Sequence, residues 1–146
     1  MHGITGLRVH QLDAKGRLAF PSKFRALLPG GGVLTVGAER CLTFYPSERW
    51  RQIEERLADM DPLDPDVRDT KRRVFGMAER VDFDGQGRIN IPAHLIAFAG
   101  LAKKVAVIGT GDVIEIWDAD TWRDQRDRID ADAVAIMRRA GGGAPH

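Results

Sequence analysis

The chain states one short pattern twice, so its fold must build the same local structure at both places. Leu12-Asp13-Ala14-Lys15-Gly16-Arg17-Leu18-Ala19-Phe20-Pro21 returns as Phe83-Asp84-Gly85-Gln86-Gly87-Arg88-Ile89-Asn90-Ile91-Pro92. Each copy reads Asp-x-x-Gly-Arg, an apolar/x/apolar triplet, then Pro. The likeness continues after one inserted residue. Val33-Leu34-Thr35-Val36-Gly37 aligns with Val105-Ala106-Val107-Ile108-Gly109, Leu42-Thr43-Phe44-Tyr45 with Ile114-Glu115-Ile116-Trp117, and Trp50 with Trp122. Self-similarity of this kind marks a repeated supersecondary unit.

Within the unit, Val9 to Leu12 and Leu18 to Phe20 read as short strands joined by Asp13-Ala14-Lys15-Gly16. Asp bonds its own downstream backbone and Gly16 supplies the positive φ that closes a hairpin. Pro21 opens a short helix, Ser22 to Leu28, which Pro29-Gly30-Gly31-Gly32 stops. Val33 to Val36 and Cys41 to Tyr45 are two further strands. Ser47 is the expected N-cap of an amphipathic helix with apolar positions Trp50, Ile53, Leu57 and Met60. Val67 to Phe75 reads as a bridging helix, and the helix containing Trp122 is expected to run through Ile129 to Met137. The expected organisation is a first repeat over 1–60, a linker and bridging helix over 61–76, a second repeat over 77–138 and a flexible tail over 139–146.

Of the 146 residues, 43% are hydrophobic and 29% charged, proportions that exclude a disordered chain, and no apolar run approaches bilayer length. The N-terminus lacks the pattern of a secretory signal, so a cytoplasmic protein is expected. The single Cys41 reads as a buried structural thiol, and His2, His10, His94 and His146 show no ligand spacing. No metal, cofactor or small-molecule substrate is expected. With no nucleophile, acid–base pair or metal cluster in view, neither is catalysis. Trp50 and Trp122 read as packing anchors of their helices.

Net charge is only +1, so bulk charge does not draw this protein to nucleic acid. The distribution is uneven: Arg8, Lys15, Arg17, Lys23 and Arg25 gather around the first motif against the single acid Asp13. Strand alternation sends Leu18, Phe20, Ile89 and Ile91 to the core and leaves Arg17, Ala19, Arg88 and Asn90 on the other face. Guanidinium grips phosphate or a guanine edge in bidentate fashion, Lys meets phosphate as a point charge, and Gln pairs with adenine. A second reading has Asp13–Arg17 and Asp84–Arg88 as salt bridges that only fix their loops. Lys71-Arg72-Arg73 is a basic triplet on a helix, read first as a solvated face.

These residues resemble the MraZ family of bacterial transcriptional regulators, relatives of the AbrB-type swapped-hairpin proteins. The likeness runs from Leu12-Asp13-Ala14-Lys15-Gly16-Arg17-Leu18 with Pro21 and Phe24-Arg25, through Tyr45-Pro46 and Trp50, to Asp84-Gly85-Gln86-Gly87-Arg88 and Trp117-Asp118-Ala119-Asp120-Thr121-Trp122. It implies an α+β, mainly β fold: a double-split β-barrel of two tandem βαββα-type repeats with flanking helices. It also implies homo-oligomeric rings, octameric or dodecameric, that bind direct repeats of double-stranded DNA at the promoter of the division and cell-wall gene cluster, in the nucleoid, with repression the expected direction. The family's contact positions fall on Asp13, Lys15, Arg17, Asp84, Gln86 and Arg88, to which the local charge pattern adds Lys23 and Arg25. Gln86 replaces a basic loop residue, and His2 stands where the family often has an aromatic one; with Gln86 and His94 in place of Lys15 and Lys23 in the second repeat, the first motif is expected to carry more of the DNA affinity. An oligomeric scaffold with incidental DNA binding is the alternative.

Overall fold

A computed structural model describes residues 3–142. The first repeat comprises β1 (Ile4–Gln11), β2 (Arg17–Ala19), α1 (Ser22–Arg25), β3 (Gly32–Val36), β4 (Leu42–Pro46) and α2 (Ser47–Ala58). After α3 (Pro65–Val74) the second follows the same order: β5 (Glu79–Val81), β6 (Arg88–Asn90), α4 (Ala93–Ala99), β7 (Lys104–Gly111), β8 (Ile114–Asp118) and α5 (Ala119–Ala131). A last helix, α6, spans Ala133–Gly142.

The repeats exchange strands. The larger sheet has the order β1-β7-β8-β4-β3-β5, so β1 of the first repeat lies against β7 of the second, and β5 of the second against β3 of the first. Likewise β2 pairs with β6 in a separate two-stranded ribbon. The registers reveal an internal two-fold axis. Thr43 faces Glu115 in the β4–β8 pairing and Leu18 faces Ile89 in the ribbon, and each couple holds equivalent positions of the two repeats. One axis through both couples relates the halves.

The core lies where the ribbon, α1, α4 and the inner face of the larger sheet meet. Leu18, Phe20, Phe24, Leu34, Phe44, Ile89, Ile91, Leu95, Ile114 and Ile116 are all buried there. Phe20 meets Phe44 and Phe83 edge-on, with ring centroids 5.2 and 5.3 Å apart. Burial of side chains this size stabilises by about 1.5–3 kcal/mol each, and the contributors come from both repeats. Neither half buries this surface alone.

Several expectations need correction. Helices occupy more residues than strands, so the fold is α+β without being mainly β; α3 and α6 lie outside the duplicated unit and tip the balance. β1 begins at Ile4 rather than Val9, because β7 offers it an antiparallel partner along its whole length. Ser47 is the first helical residue and Pro46 takes the cap position; the Ser47 hydroxyl instead accepts a hydrogen bond from Arg80 Nη2 at 3.0 Å. In the second repeat Asp118 does cap α5, accepting from the Thr121 N–H. The helix expected to run to Met137 breaks at Asp132. Residues 139–142, expected to begin a flexible tail, close α6; the rest of that segment, 143–146, lies outside the described residues, as does His2.

The halves differ most at their edges. β5 covers only Gly32 to Leu34 of β3. Helix α3 takes over beyond it: the Thr35 hydroxyl donates to the Val74 carbonyl at 2.6 Å and Arg73 Nη2 to the Gly37 carbonyl at 2.9 Å. Arg73 also lies over the Phe98 ring, 5.2 Å from its centroid, and Arg72 pairs with Asp69. Arg73 therefore holds structure, while Arg72 makes only an exposed pair within its own helix. Trp50 packs between Tyr45 and Phe75, and Trp122 against Trp117, which fits their reading as anchors.

Candidate nucleic-acid interface

Each motif folds into a tight loop whose Asp organises it. Asp13 Oδ1 accepts the backbone N–H groups of Lys15 and Arg17, both at 2.9 Å, while Oδ2 accepts Arg17 Nε at 2.7 Å. Asp84 repeats this with Gln86, Arg88 and Arg88 Nε, each at 2.9 Å. The backbone closes in the same way: Gly16 N–H donates to the Asp13 carbonyl and Gly87 N–H to the Asp84 carbonyl, both at 3.0 Å. Gly16 and Gly87 carry φ of 80° and 74°, the left-handed region that other residues enter at a cost. Hydrogen bonds to the ionised carboxylates, led by the N–H of Arg17 and of Arg88, hold both Asp13 and Asp84 below the ordinary carboxylate range.

These loops are not the feet of ordinary hairpins. The two sides of the first meet in the isolated bridge Leu12–Leu18 and in the Asp13 N–H donated to the Arg17 carbonyl at 3.0 Å, but they form no extended ladder, because β1 lies in the large sheet while β2 pairs with the other repeat. The ribbon register sets Arg17 opposite Asn90 and Ala19 opposite Arg88. It is extended at its ends by Ile91 N–H to the Gly16 carbonyl (2.8 Å) and Phe20 N–H to the Gly87 carbonyl (3.2 Å). Directly opposed residues of antiparallel strands share a face. Leu18 and Ile89 point into the core, so Arg17, Ala19, Arg88 and Asn90 form the outer face, with the two loops at its opposite ends.

The arginines stand diagonally on this face, with Cβ atoms roughly 7–8 Å apart by strand geometry. Each uses Nε on its own Asp, and among the described residues the Nη groups have no hydrogen-bond partner. The loop-fixing reading and the recognition reading are therefore compatible: one edge of each guanidinium is anchored and the other is presented. Such a half-exposed pair adds little stability by itself.

The exchange of strands regroups the remaining cations. Arg25, expected beside Arg17, lies across Gly87 of the second repeat's loop, with Nε donating to the Phe20 carbonyl at 3.2 Å. Its repeat mate Ile96 covers Gly16 in the same way. Lys23 reaches back to Gly6 on β1, where its Nζ would sit 3.2 Å from an added Cβ, and its mate His94 meets the Met77 carbonyl at 3.2 Å. Gly6 precedes Asp13 by seven residues, roughly 20 Å along an extended strand, so Lys23 stands off the loop tip. One end of the ribbon thus carries Lys15 and Arg17; the other carries Arg88 and Arg25 beside Gln86. The charge that looked concentrated on the first motif is shared between both.

A group of metal-ligand types also appears that spacing did not reveal: Glu39, Cys41 and Glu115 bring one ligand atom each within 4.8 Å of one another. Glu115 arrives through the β4–β8 pairing and accepts Trp117 Nε1 at 2.9 Å. Burial first, then the carboxylates of Glu115 and Glu39, push the Cys41 thiol up to about 12, so it stays protonated at neutral pH. It belongs to the larger sheet, not to the ribbon.

The fold and site define a class: a tandem-repeat, strand-exchanged α+β protein that presents a two-stranded cationic ribbon on an internal two-fold axis. The model of one family, described as "MraZ protein, putative antitoxin-like", matches residues 4–73 and again 74–140. The chain is also 42% identical over 134 residues to the transcriptional regulator MraZ of Thermomicrobium roseum, covering 92% of this chain and 94% of that relative. The chain belongs to the MraZ family of transcriptional regulators.

Proposed function

We propose that this protein is a sequence-specific DNA-binding regulator, not an enzyme, and that the β2–β6 ribbon is its reading head. The observation that carries this reading is the pair of dyad-related arginines on the ribbon's outer face, each anchored through Nε, partly exposed, and with no hydrogen-bond partner on its Nη groups among the described residues. A two-stranded ribbon enters the major groove, and an oriented guanidinium meets guanine O6 and N7 in bidentate fashion. Asp13 and Asp84 act as positioning residues, fixing the angle at which the guanidinium is offered. Lys15 and Arg25 neutralise phosphate at opposite ends, Gln86 offers amide contacts, and Lys23 supplies a more distant charge. No helix among the described residues is long and apolar enough to cross a membrane.

Family membership supports the finer part of this reading. The ribbon and the six-stranded sheet form the two layers of a double-split barrel, and copies of the chain assemble into a closed octameric or dodecameric ring. The ring repeats the weak contact of one ribbon along promoter direct repeats of the division and cell-wall genes, in the cytoplasm at the nucleoid, and represses them. Linked contacts raise avidity through effective concentration, which suits a protein whose net charge is only +1. Gel-shift titration on that promoter, with the repeats intact and scrambled, tests the reading. Specific shifts lost in Arg17→Ala/Arg88→Ala support it; equal affinity for both duplexes, or an unchanged titration in the double variant, overturns it in favour of a scaffold.

A further inference from the structure

The dyad that relates the two arginines does not relate everything beside them. Equivalent positions hold Lys15 and Gln86, Ile96 and Arg25, and on the reading face itself Asn90 and Ala19. Asn90 is exposed, stands directly across the ladder from Arg17, and among the described residues its amide has no hydrogen-bond partner. Its Oδ1 lies 3.4 Å from where a Cβ on Gly16 would stand, so the side chain is seated against the base of the first loop. The mate position, Ala19, faces Arg88 and offers no polar group.

We infer that Asn90 is a base-reading residue that gives the ribbon a direction on DNA, its amide pairing with an adenine edge next to the base taken by Arg17. The inference rests on the DNA-binding reading above and deepens it. An amide presents one donor and one acceptor side by side, the complement of adenine N6 and N7 in the major groove. Opposed Cβ atoms in a ladder are about 5 Å apart, and base pairs rise by about 3.4 Å. Arg17 and Asn90 therefore address neighbouring base pairs from one end of the ribbon. At the other end Arg88 reads alone, with Arg25 beside it on the loop. A reader with true two-fold symmetry binds a site equally well in either orientation; this one does not, because the adenine contact exists at one end only. Asn90 thus determines both the base preferred beside Arg17 and the strand sense in which the protein lies.

Selection from a randomised duplex library, sequenced for wild type, Asn90→Ala and Arg17→Ala, tests this. Wild type is expected to return an asymmetric site with adenine enriched beside the guanine that Arg17→Ala removes. Asn90→Ala should abolish that adenine preference, a loss of roughly 5–150-fold in discrimination at one position, while guanine preferences and the salt dependence of binding stay as they were. Ala19→Asn should add the same preference at the mirrored position. If wild type selects a site and Asn90→Ala selects the identical one, the inference fails and DNA reading stands. If wild type enriches no sequence at all, the DNA-binding reading fails first.

Discussion

Arg25 of the first repeat lies across Gly87 of the second, and its repeat mate Ile96 lies across Gly16 of the first. Each Asp-x-x-Gly-Arg loop is thus roofed by the short helix of the opposite half. The glycines serve two ends here, supplying a left-handed turn and leaving room for the neighbour. Gly87→Ala should destabilise by about 1–2 kcal/mol from backbone conformation alone, and by more because the new methyl meets the guanidinium. In an Arg25→Ala background the steric part should vanish, so urea denaturation of the single and double variants should show a cost smaller than additive. Strict additivity would mean that the two residues do not touch.

With the cations shared between both ends of the ribbon, Arg17→Ala and Arg88→Ala should weaken specific DNA binding to a similar degree. A lost bidentate base contact costs about 1–3 kcal/mol, or roughly 5–150-fold in affinity. Lys15→Ala and Arg25→Ala should instead lower affinity for all sequences and reduce the slope of log affinity against log salt by about one each. Titrations over a range of salt separate the two behaviours. A loss confined to Arg17→Ala would restore the unequal motifs that sequence alone suggests.

Both loop aspartates are held below their ordinary range, so their contribution to stability has a defined sign. It is fully present above the unfolded-state value of ~3.9 and disappears as pH falls through the lower folded-state value. Thermal melts between neutral and strongly acid pH should show this loss. Asp13→Asn/Asp84→Asn should melt lower at neutral pH and flatten the acid limb, and an unaltered limb would assign acid sensitivity to other carboxylates.

Leu18 and Ile89, 0% and 1% exposed, face each other on the internal axis beneath the ribbon's outer face. Truncating either to Ala should cost about 2–5 kcal/mol. Because the ribbon has no other large side chain at its centre, DNA affinity should fall even at temperatures where the variant remains folded. Calorimetry alongside gel shifts would show both effects; a stability loss with full affinity would mean that the ribbon keeps its geometry without this packing.

Cys41 is buried and its thiol is pushed up to about 12. Native protein at neutral pH should therefore react with an aromatic disulfide reagent orders of magnitude more slowly than protein in denaturant, since only thiolate attacks. Rapid native labelling would contradict the burial.

Much of the fold was legible because its signals are local. Asp13 and Gly16 announce their turn through backbone chemistry, Pro21 and Pro92 mark where strands give way to helices, and period-two alternation separates Arg17 and Arg88 from Leu18 and Ile89. Elements shaped by a distant partner were not legible in the same way. The early start of β1 depends on β7, the bonds of Thr35 and Gly37 at the end of β3 depend on α3, and the Glu39–Cys41–Glu115 group depends on β4 meeting β8. Asn90 was visible on the outer face with Arg88, but nothing in the linear pattern set it opposite Arg17.

By itself the sequence determined that one unit is built twice, that each copy ends a tight loop in an arginine, and which side chains each strand buries. Residues a few positions apart fix those features. Tertiary structure decided which loop each cation lies beside. Strands too short to bury their apolar faces within one repeat find partners in the other, and that exchange carries Arg25 to Gly87 and Asn90 to Arg17, pairings made across nearly half the chain.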